Sequence, residues 1–193
     1  MSNAIPVMRL TMIQHVFLQK EKDINQQVGN LQLNDVKEDA AFQRTTTRIK
    51  NDTLLKPVTF SNPEIKSHRQ VEKRFSSSYE FPMPHTKNVC IVNVDFTFEG
   101  SSELFKYAPN GLSYGSSDTR MYQPGYGNVI SLEVEIPQLD RDAAIAKANS
   151  MMATTFSIIN QINPQAEQWS TAKEPIIDAD LDKKRAEILN FYK

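Results

Sequence analysis

Two segments of the chain carry the apolar pattern of β-strands most clearly. Residues 128–136 alternate between apolar and polar positions and end at Pro137, which predicts a strand with one buried face. Residues 88–98 are almost continuously apolar from Ile91 onward, a pattern typical of a strand covered on both faces. The apolar positions of this segment are Val89, Ile91, Val92, Val94, Phe96 and Phe98.

Two further segments favour extended structure with a less regular pattern. Residues 53–60 contain Pro57, which has no amide hydrogen and therefore predicts an edge strand or a bulge. Residues 67–81 alternate loosely, and Pro82 and Pro84 end the pattern.

Helical periodicity is found toward both ends of the chain. Residues 6–33 and 34–50 carry apolar residues at helical spacing, and Pro6 suits the first turn of the first helix. Apolar residues recur every three or four positions in residues 139–163 and again in residues 173–192.

The two C-terminal helical segments are separated by Pro164 and a polar stretch. Asp140 or Asp142 can begin the first of them, because a short acidic side chain accepts hydrogen bonds from free amides at a helix start. A short polar link between two amphipathic helices predicts an antiparallel helical hairpin.

These patterns predict an α+β fold, with N-terminal helices, a small mainly antiparallel sheet and a C-terminal antiparallel helical hairpin. We expect a helical segment over residues 1–52, a β-rich core over 53–137 and the hairpin over 138–193. The core includes an aromatic loop at 99–127 that holds five of the six glycines, and the three parts together form one domain.

Composition narrows the possible functions. A single cysteine, Cys90, excludes a disulfide scaffold and thiolate metal sites, and its place in the best strand predicts a buried, inert thiol. The glycines do not follow a strand and open a helix as phosphate-binding loops require, and we expect no cofactor. The net charge of −1 gives no global attraction for nucleic acid. No apolar run is long enough to span a membrane and no secretion signal is present, so we expect a cytoplasmic protein without membrane contact.

Two short patterns resemble catalytic motifs. The run from Gly111 to Gly115 has the spacing of a hydrolase nucleophile elbow around Ser113, but it lacks the flanking strand and helix, and no histidine follows. Asp52, Glu64 and Lys66 have the spacing of a metal-dependent nuclease core, in which two carboxylates hold a cation and the lysine helps activate water. Pro63 places Glu64 beside a turn, so a solvated loop is the competing interpretation.

A basic stretch is a candidate for contact with phosphate or an acidic partner. It contains Lys66, Arg69, Lys73 and Arg74 beside His68, and Glu64 and Glu72 dilute its charge. A solvated strand face is the competing interpretation.

Large apolar side chains in and near the glycine-containing loop are the candidates for a protein contact surface. They either close one end of the sheet or meet a partner, and closure is the favoured interpretation for apolar loop residues. The candidates, with two residues of the helix that follows, are Leu104, Phe105, Tyr107, Tyr122, Tyr126, Met152 and Phe156.

One part of the chain resembles a known group of proteins. The run Phe96-Thr97-Phe98-Glu99-Gly100, followed by Glu103-Leu104-Phe105, Tyr107 and Pro109, resembles a pattern in an uncharacterised family of bacterial proteins. There, a strand, a long helix and an Arg-containing helix follow, as residues 129–136, 140–163 and 173–192 do here. The resemblance covers about residues 65–192 by pattern.

Many members of that family join such an N-terminal module to a C-terminal restriction-endonuclease-like domain. The resemblance therefore implies a part in an anti-phage or DNA-modifying system. The nuclease core has no counterpart in this sequence, so no catalytic residue is transferred to it.

Together these observations favour a non-catalytic interaction or assembly module that forms a homo-oligomer or binds a protein partner. A metal-dependent nuclease using Asp52, Glu64 and Lys66 is the first alternative. A non-catalytic nucleic-acid-binding protein is the second, using Lys66, Arg69, Lys73 and Arg74 together with the basic run Lys183–Arg185.

Overall fold

The computed structural model describes residues 3–75, 85–112 and 119–192, with all their side chains except those of Asn3, Phe75 and His85. The chain divides into two compact units, each assembled from three separate stretches. Unit one comprises residues 1–9, 58–105 and 114–159, and unit two comprises residues 10–57, 106–113 and 160–193. The predicted domain boundaries after residues 52 and 137 stay a prediction.

The elements confirm the α+β class. In chain order they are β1 (Asn3–Pro6), a 3-10 turn (Val7–Arg9), β2 (Thr11–Met12), α1 (Gln14–Gly29), α2 (Leu33–Val36), α3 (Asp39–Thr53), β3 (Thr59–Phe60), β4 (Glu64–Phe75), β5 (His85–Glu99), a second 3-10 helix (Ser102–Lys106), β6 (Tyr107–Ala108), β7 (Arg120–Gln123), β8 (Val129–Ile136) and α4 (Arg141–Phe191).

Unit one is organised around the long strand β5. Both β4 and β8 pair with it antiparallel, and residues 90–95 of β5 pair with both at once, so β5 is the central strand. The short β3 pairs with the last residues of β5, Thr59 opposite Glu99 and Phe60 opposite Phe98. The mainly antiparallel sheet predicted from the sequence is confirmed.

The two faces of β5 differ. Its even-numbered residues from Cys90 to Phe98 are all buried, together with Ile130, Leu132, Val134 and Ile136 of β8. Its odd-numbered residues become half-exposed or exposed from Asn93 onward. The expectation that both faces of this strand are covered is therefore wrong beyond Ile91, whereas the buried thiol of Cys90 is confirmed.

The first part of α4 covers the buried face of this sheet. Its inward residues recur at helical spacing as Ala144, Ala148, Met152, Thr155 and Ile159, and all are buried. Asp140 begins the helix as predicted, because its Oδ1 accepts a hydrogen bond of 3.0 Å from the amide of Ala143.

Unit two is a packing of helices α1, α2 and α3 with residues 160–191 of α4. One cluster of its core consists of six buried apolar side chains: Ile24, Leu31, Val36, Ile49, Ile177 and Leu181. Phe17 and Trp169 stack at the side of this unit, with ring centroids 5.2 Å apart. A short parallel pair, β2 with β6, places Thr11 opposite Tyr107.

Ion pairs tie α4 to the other helices of unit two. Lys50 of α3 contacts Glu174 at 3.1 Å and Asp178 at 2.8 Å, and Lys173 contacts Glu21 of α1 at 2.6 Å. Farther along α4, the Arg185 guanidinium donates to the carbonyl of Val36 at 3.0 Å, pairs with Asp39 and lies 4.6 Å from the ring centroid of Phe42.

The predicted N-terminal helix over residues 6–33 is too long. Residues 3–6 form β1, which pairs antiparallel with β7, and the helix begins only at Gln14. The amide of Val7 also donates to the carbonyl of Thr119 at 2.9 Å. Backbone hydrogen bonds to a strand remote in the sequence override the local helical spacing. No local pattern can reveal that such a partner strand exists.

The predicted C-terminal hairpin is wrong, because α4 is one helix of 51 residues with Pro164 and Pro175 inside it. Both prolines are exposed. Water can therefore donate hydrogen bonds to the carbonyls that the prolines, which have no amide hydrogen, leave without a backbone donor. The buried stripe continues without a change of phase through Ile162, Ala166 and Ile177. No glycine follows Gly127, so the segment lacks the residue that most often ends a helix.

Candidate functional site

Most of the predicted contact residues belong to the core of unit one. Leu104, Phe105 and Met152 are fully buried, and Phe156 is half-buried. The rings form one cluster, in which Phe105 lies 4.8 Å from Phe98 and 6.0 Å from Phe60 between centroids, and Phe156 lies 5.0 Å from Phe60. Leu104, Phe105 and Met152 are thus core residues and lie outside any accessible surface of this chain.

The three tyrosines among the candidates occupy different places. Tyr107 is half-buried in β6 of unit two. Tyr122 is half-buried in β7 of unit one, where its amide donates to the hydroxyl of Thr155 at 2.9 Å. Tyr126 is 95% exposed. The structure therefore separates the candidates, and Tyr126 is the one that meets solvent with nearly its whole side chain.

Tyr126 stands on a tight reversal between β7 and β8. It forms a single antiparallel bridge with Val129, the first residue of β8. Gly127 adopts φ +61°, a conformation that residues with a side chain rarely take, so glycine permits this reversal. The turn holds the backbone of Tyr126 against the core strand β8 while its ring faces water.

The basic stretch of β4 is largely paired within unit one. Lys66 contacts Glu64 at 2.6 Å, Arg69 contacts Glu133 at 2.9 Å and Lys73 pairs with Glu135. Glu133 and Glu135 lie on β8, so Arg69 and Lys73 reach over the central strand β5. The hydrogen bond and charge of Lys66 hold the pKa of Glu64 below its usual value, and Glu64 in turn raises the pKa of Lys66.

The far end of the β4–β5 pair brings together cations that sequence reasoning missed. Lys87 of β5 lies directly opposite Lys73, and Arg74 lies opposite Thr86. Among the described residues, no carboxylate lies within ion-pair distance of Arg74 or Lys87. Lys87 lies outside the basic stretch of the sequence. Only the pairing register of β4 and β5 shows that Lys87 lies beside these cations.

The residues of the nuclease hypothesis do not form the strand arrangement that it requires. Glu64 and Lys66 lie on β4 of unit one, whereas Asp52 lies on helix α3 of unit two. Asp52 forms a 3.6 Å ion pair with Arg48 one helical turn away. Within residues 3–75, 85–112 and 119–192, no three His, Cys, Asp or Glu side chains are grouped as a metal site requires.

The remaining candidates carry little chemistry. His15 and His68 are exposed, and the side chain of His85 lies outside the described residues. Ser113 and Gly115 of the hydrolase-like run also lie outside them.

An open groove of about 680 Å³ follows α3 past Arg44, Arg48 and Asp52.

None of the described helices is long and apolar enough to cross a membrane.

Comparison with known proteins adds no relative, since no family model, curated protein or solved structure matches the chain.

Proposed function

We propose that this chain is a non-catalytic interaction or assembly module in which Tyr126 is a contact residue. The observation that carries the proposal is the 95% exposure of this side chain on a turn fixed by the Val129 bridge and Gly127. Tyrosine is enriched in protein interfaces, because its ring adds contact area at small entropic cost and its hydroxyl finds a partner. The turn fixes the backbone of Tyr126, so only its side chain has to be ordered on binding.

Unit two also displays aromatic side chains. Phe191 and Tyr192 are 82% and 62% exposed, and their ring centroids lie 5.1 Å apart in an edge-to-face arrangement. Single exposed apolar residues are common on protein surfaces, but two adjacent aromatic rings form a continuous apolar patch. This pair supports the proposal from a second part of the chain.

A second copy of the chain is the partner that we propose first, because symmetric homodimers are the commonest assemblies. The resemblance to the N-terminal modules of nuclease-bearing bacterial proteins supports the same function. With it we propose a place in an anti-phage or DNA-modifying system, where a non-catalytic module would hold an effector.

Self-association is tested by measuring molar mass with light scattering over a series of protein concentrations. We expect the mass of the wild-type protein to rise toward that of a dimer. Tyr126→Ser removes one tyrosine from each copy and should weaken the dimer at least about 30-fold, since a tyrosine at the centre of an interface is worth about 2 kcal/mol.

Met8→Ser is the matched control, because Met8 belongs to the same unit and is 60% exposed. It removes a comparable apolar side chain away from the Tyr126 turn. A wild-type protein that stays monomeric at every concentration would contradict self-association. Equal effects of the two substitutions would show that Tyr126 is not the contact.

A further inference from the structure

Strands β4 and β5 continue as a two-stranded ribbon past the end of β8. The last residue of β8, Ile136, pairs with Cys90, whereas β4 and β5 pair through five further positions, from Val71 opposite Val89 to Phe75 opposite His85. We call residues 71–75 and 85–89 the ribbon arm. At about 3.3 Å per residue, these five positions extend roughly 16 Å beyond the three-stranded part of the sheet.

The ribbon arm is the most basic part of the sheet. It carries three cations, Lys73, Arg74 and Lys87, against one carboxylate, Glu72, in a chain whose net charge is −1. All four side chains are exposed. The excess of positive charge is therefore local, and the composition of the whole chain hides it.

The register of the arm places two lysines face to face. Lys73 and Lys87 are directly opposite, so their side chains leave the same face of the ribbon and repel each other. Glu135 forms an ion pair with Lys73, and both side chains of this pair are about one-third to one-half exposed. Such exposed pairs are weak, and a phosphate can replace the carboxylate.

The opposite face of the arm carries side chains that can hydrogen bond to base edges. Arg74 and Thr86 are paired there, as are Glu72 and Asn88. Arginine and asparagine are the side chains that make two-pronged hydrogen bonds to guanine and adenine, respectively. One face of the arm thus offers cations for phosphates, and the other offers polar groups for bases.

We propose that the ribbon arm binds double-stranded DNA by entering its major groove. That groove is about 12 Å wide and admits a two-stranded β-ribbon. The major groove of duplex RNA is deep and narrow, so the same arm does not fit it. Arg74 points toward the groove floor, whereas Lys73 and Lys87 leave the opposite face. Their flexible four-carbon stems bend around the strand edges to the phosphates of the groove walls. This site is separate from the Tyr126 contact and stands without it.

Binding is measured by fluorescence anisotropy of a labelled DNA duplex across a series of salt concentrations. Each phosphate contact contributes about −0.9 to the slope of log K against log salt concentration. The double variant Lys73→Gln and Lys87→Gln removes both phosphate contacts and should therefore make the slope less steep by about 1.8. Lys73→Arg together with Lys87→Arg keeps both charges and should keep most of the wild-type slope.

Lys66→Gln is the control, because it removes one positive charge from the same strand at the end far from the arm, where Lys66 is bound to Glu64. Its salt slope should match that of the wild type. Circular dichroism of each variant establishes that the fold is retained.

Three results would overturn the proposal: no binding to duplex DNA, a double variant with the wild-type slope, or a Lys66→Gln protein that loses as much as the double variant. Equal affinity for single-stranded DNA or for duplex RNA would exclude entry into the major groove.

Discussion

The two units of this chain use charged side chains differently. In unit one, Arg69 and Lys73 lie along the solvent face of the sheet, and the core beneath is closed by aromatic and aliphatic residues. In unit two, Lys50 connects α3 to α4 beside a cluster of six buried apolar side chains. Only 22% of the Lys50 side chain is exposed. Ion pairs made by the same type of residue can therefore contribute differently to the free energy of unfolding. Burial and the number of partners decide how large each contribution is.

The largest expected effect comes from opening the aromatic core of unit one. Phe98→Ala removes a side chain that is 1% exposed and contacts Phe60 and Phe105. We expect it to lower the free energy of unfolding by about 3–5 kcal/mol, because the cavity cannot collapse completely. Urea unfolding measures the loss, and hydrogen exchange should show that amides of unit one lose protection first.

The control is Thr97→Ala, one residue away on the exposed face of the same strand. Its effect should stay within about 0.5 kcal/mol. Equal loss of protection in both units would contradict the view that each unit has its own core.

A smaller effect should distinguish the ion pairs of the two units. Lys50→Met and Arg69→Met each keep an apolar stem and remove the charge. We expect about 1 kcal/mol of destabilisation for Lys50→Met and a few tenths for Arg69→Met, because Lys50 has two partners whereas Arg69 is 54% exposed with one. Urea unfolding of both variants at neutral pH measures the two losses of unfolding free energy. A larger loss for Arg69→Met than for Lys50→Met would contradict the proposed difference between the ion pairs of the two units.

The smallest effect is the pH dependence of the Lys50 contribution. Burial disfavours the charged ammonium and is the largest single influence, but the hydrogen bonds and charges of Asp178 and Glu174 together outweigh it and raise the pKa of Lys50 above 10.5. A raised pKa means that the stabilisation is complete below 10.5 and is lost as the pH rises through the folded value.

The stability difference between the wild type and Lys50→Met should therefore be constant near neutral pH and shrink at a pH above 10.5. Urea unfolding at the two pH values provides the comparison. A difference that grows with alkaline pH would contradict the direction of the shift.

Local patterns predicted the elements that carry their own periodicity. The alternation in residues 128–136 corresponds to β8, and the apolar run at 88–98 corresponds to most of β5. The cap at Asp140 was also readable, because capping depends on a side chain and amides only three residues away. The candidate contact residues were less predictable, since Phe105 and Tyr126 belong to the same predicted loop, residues 99–127, and to the same chemical class, although one is buried and the other exposed.

The sequence by itself determined the α+β class and the strands β5 and β8, because a period of two or of about 3.6 residues requires no distant information. Only the tertiary structure decided that residues 3–6 form a strand on β7, that α4 continues through Pro164, and that Lys87 faces Lys73. Each of these depends on a partner remote in the chain or on the water around an exposed proline. Whether an aromatic side chain is a core residue or a contact residue depends in the same way on what surrounds it, and its neighbours in sequence do not specify that.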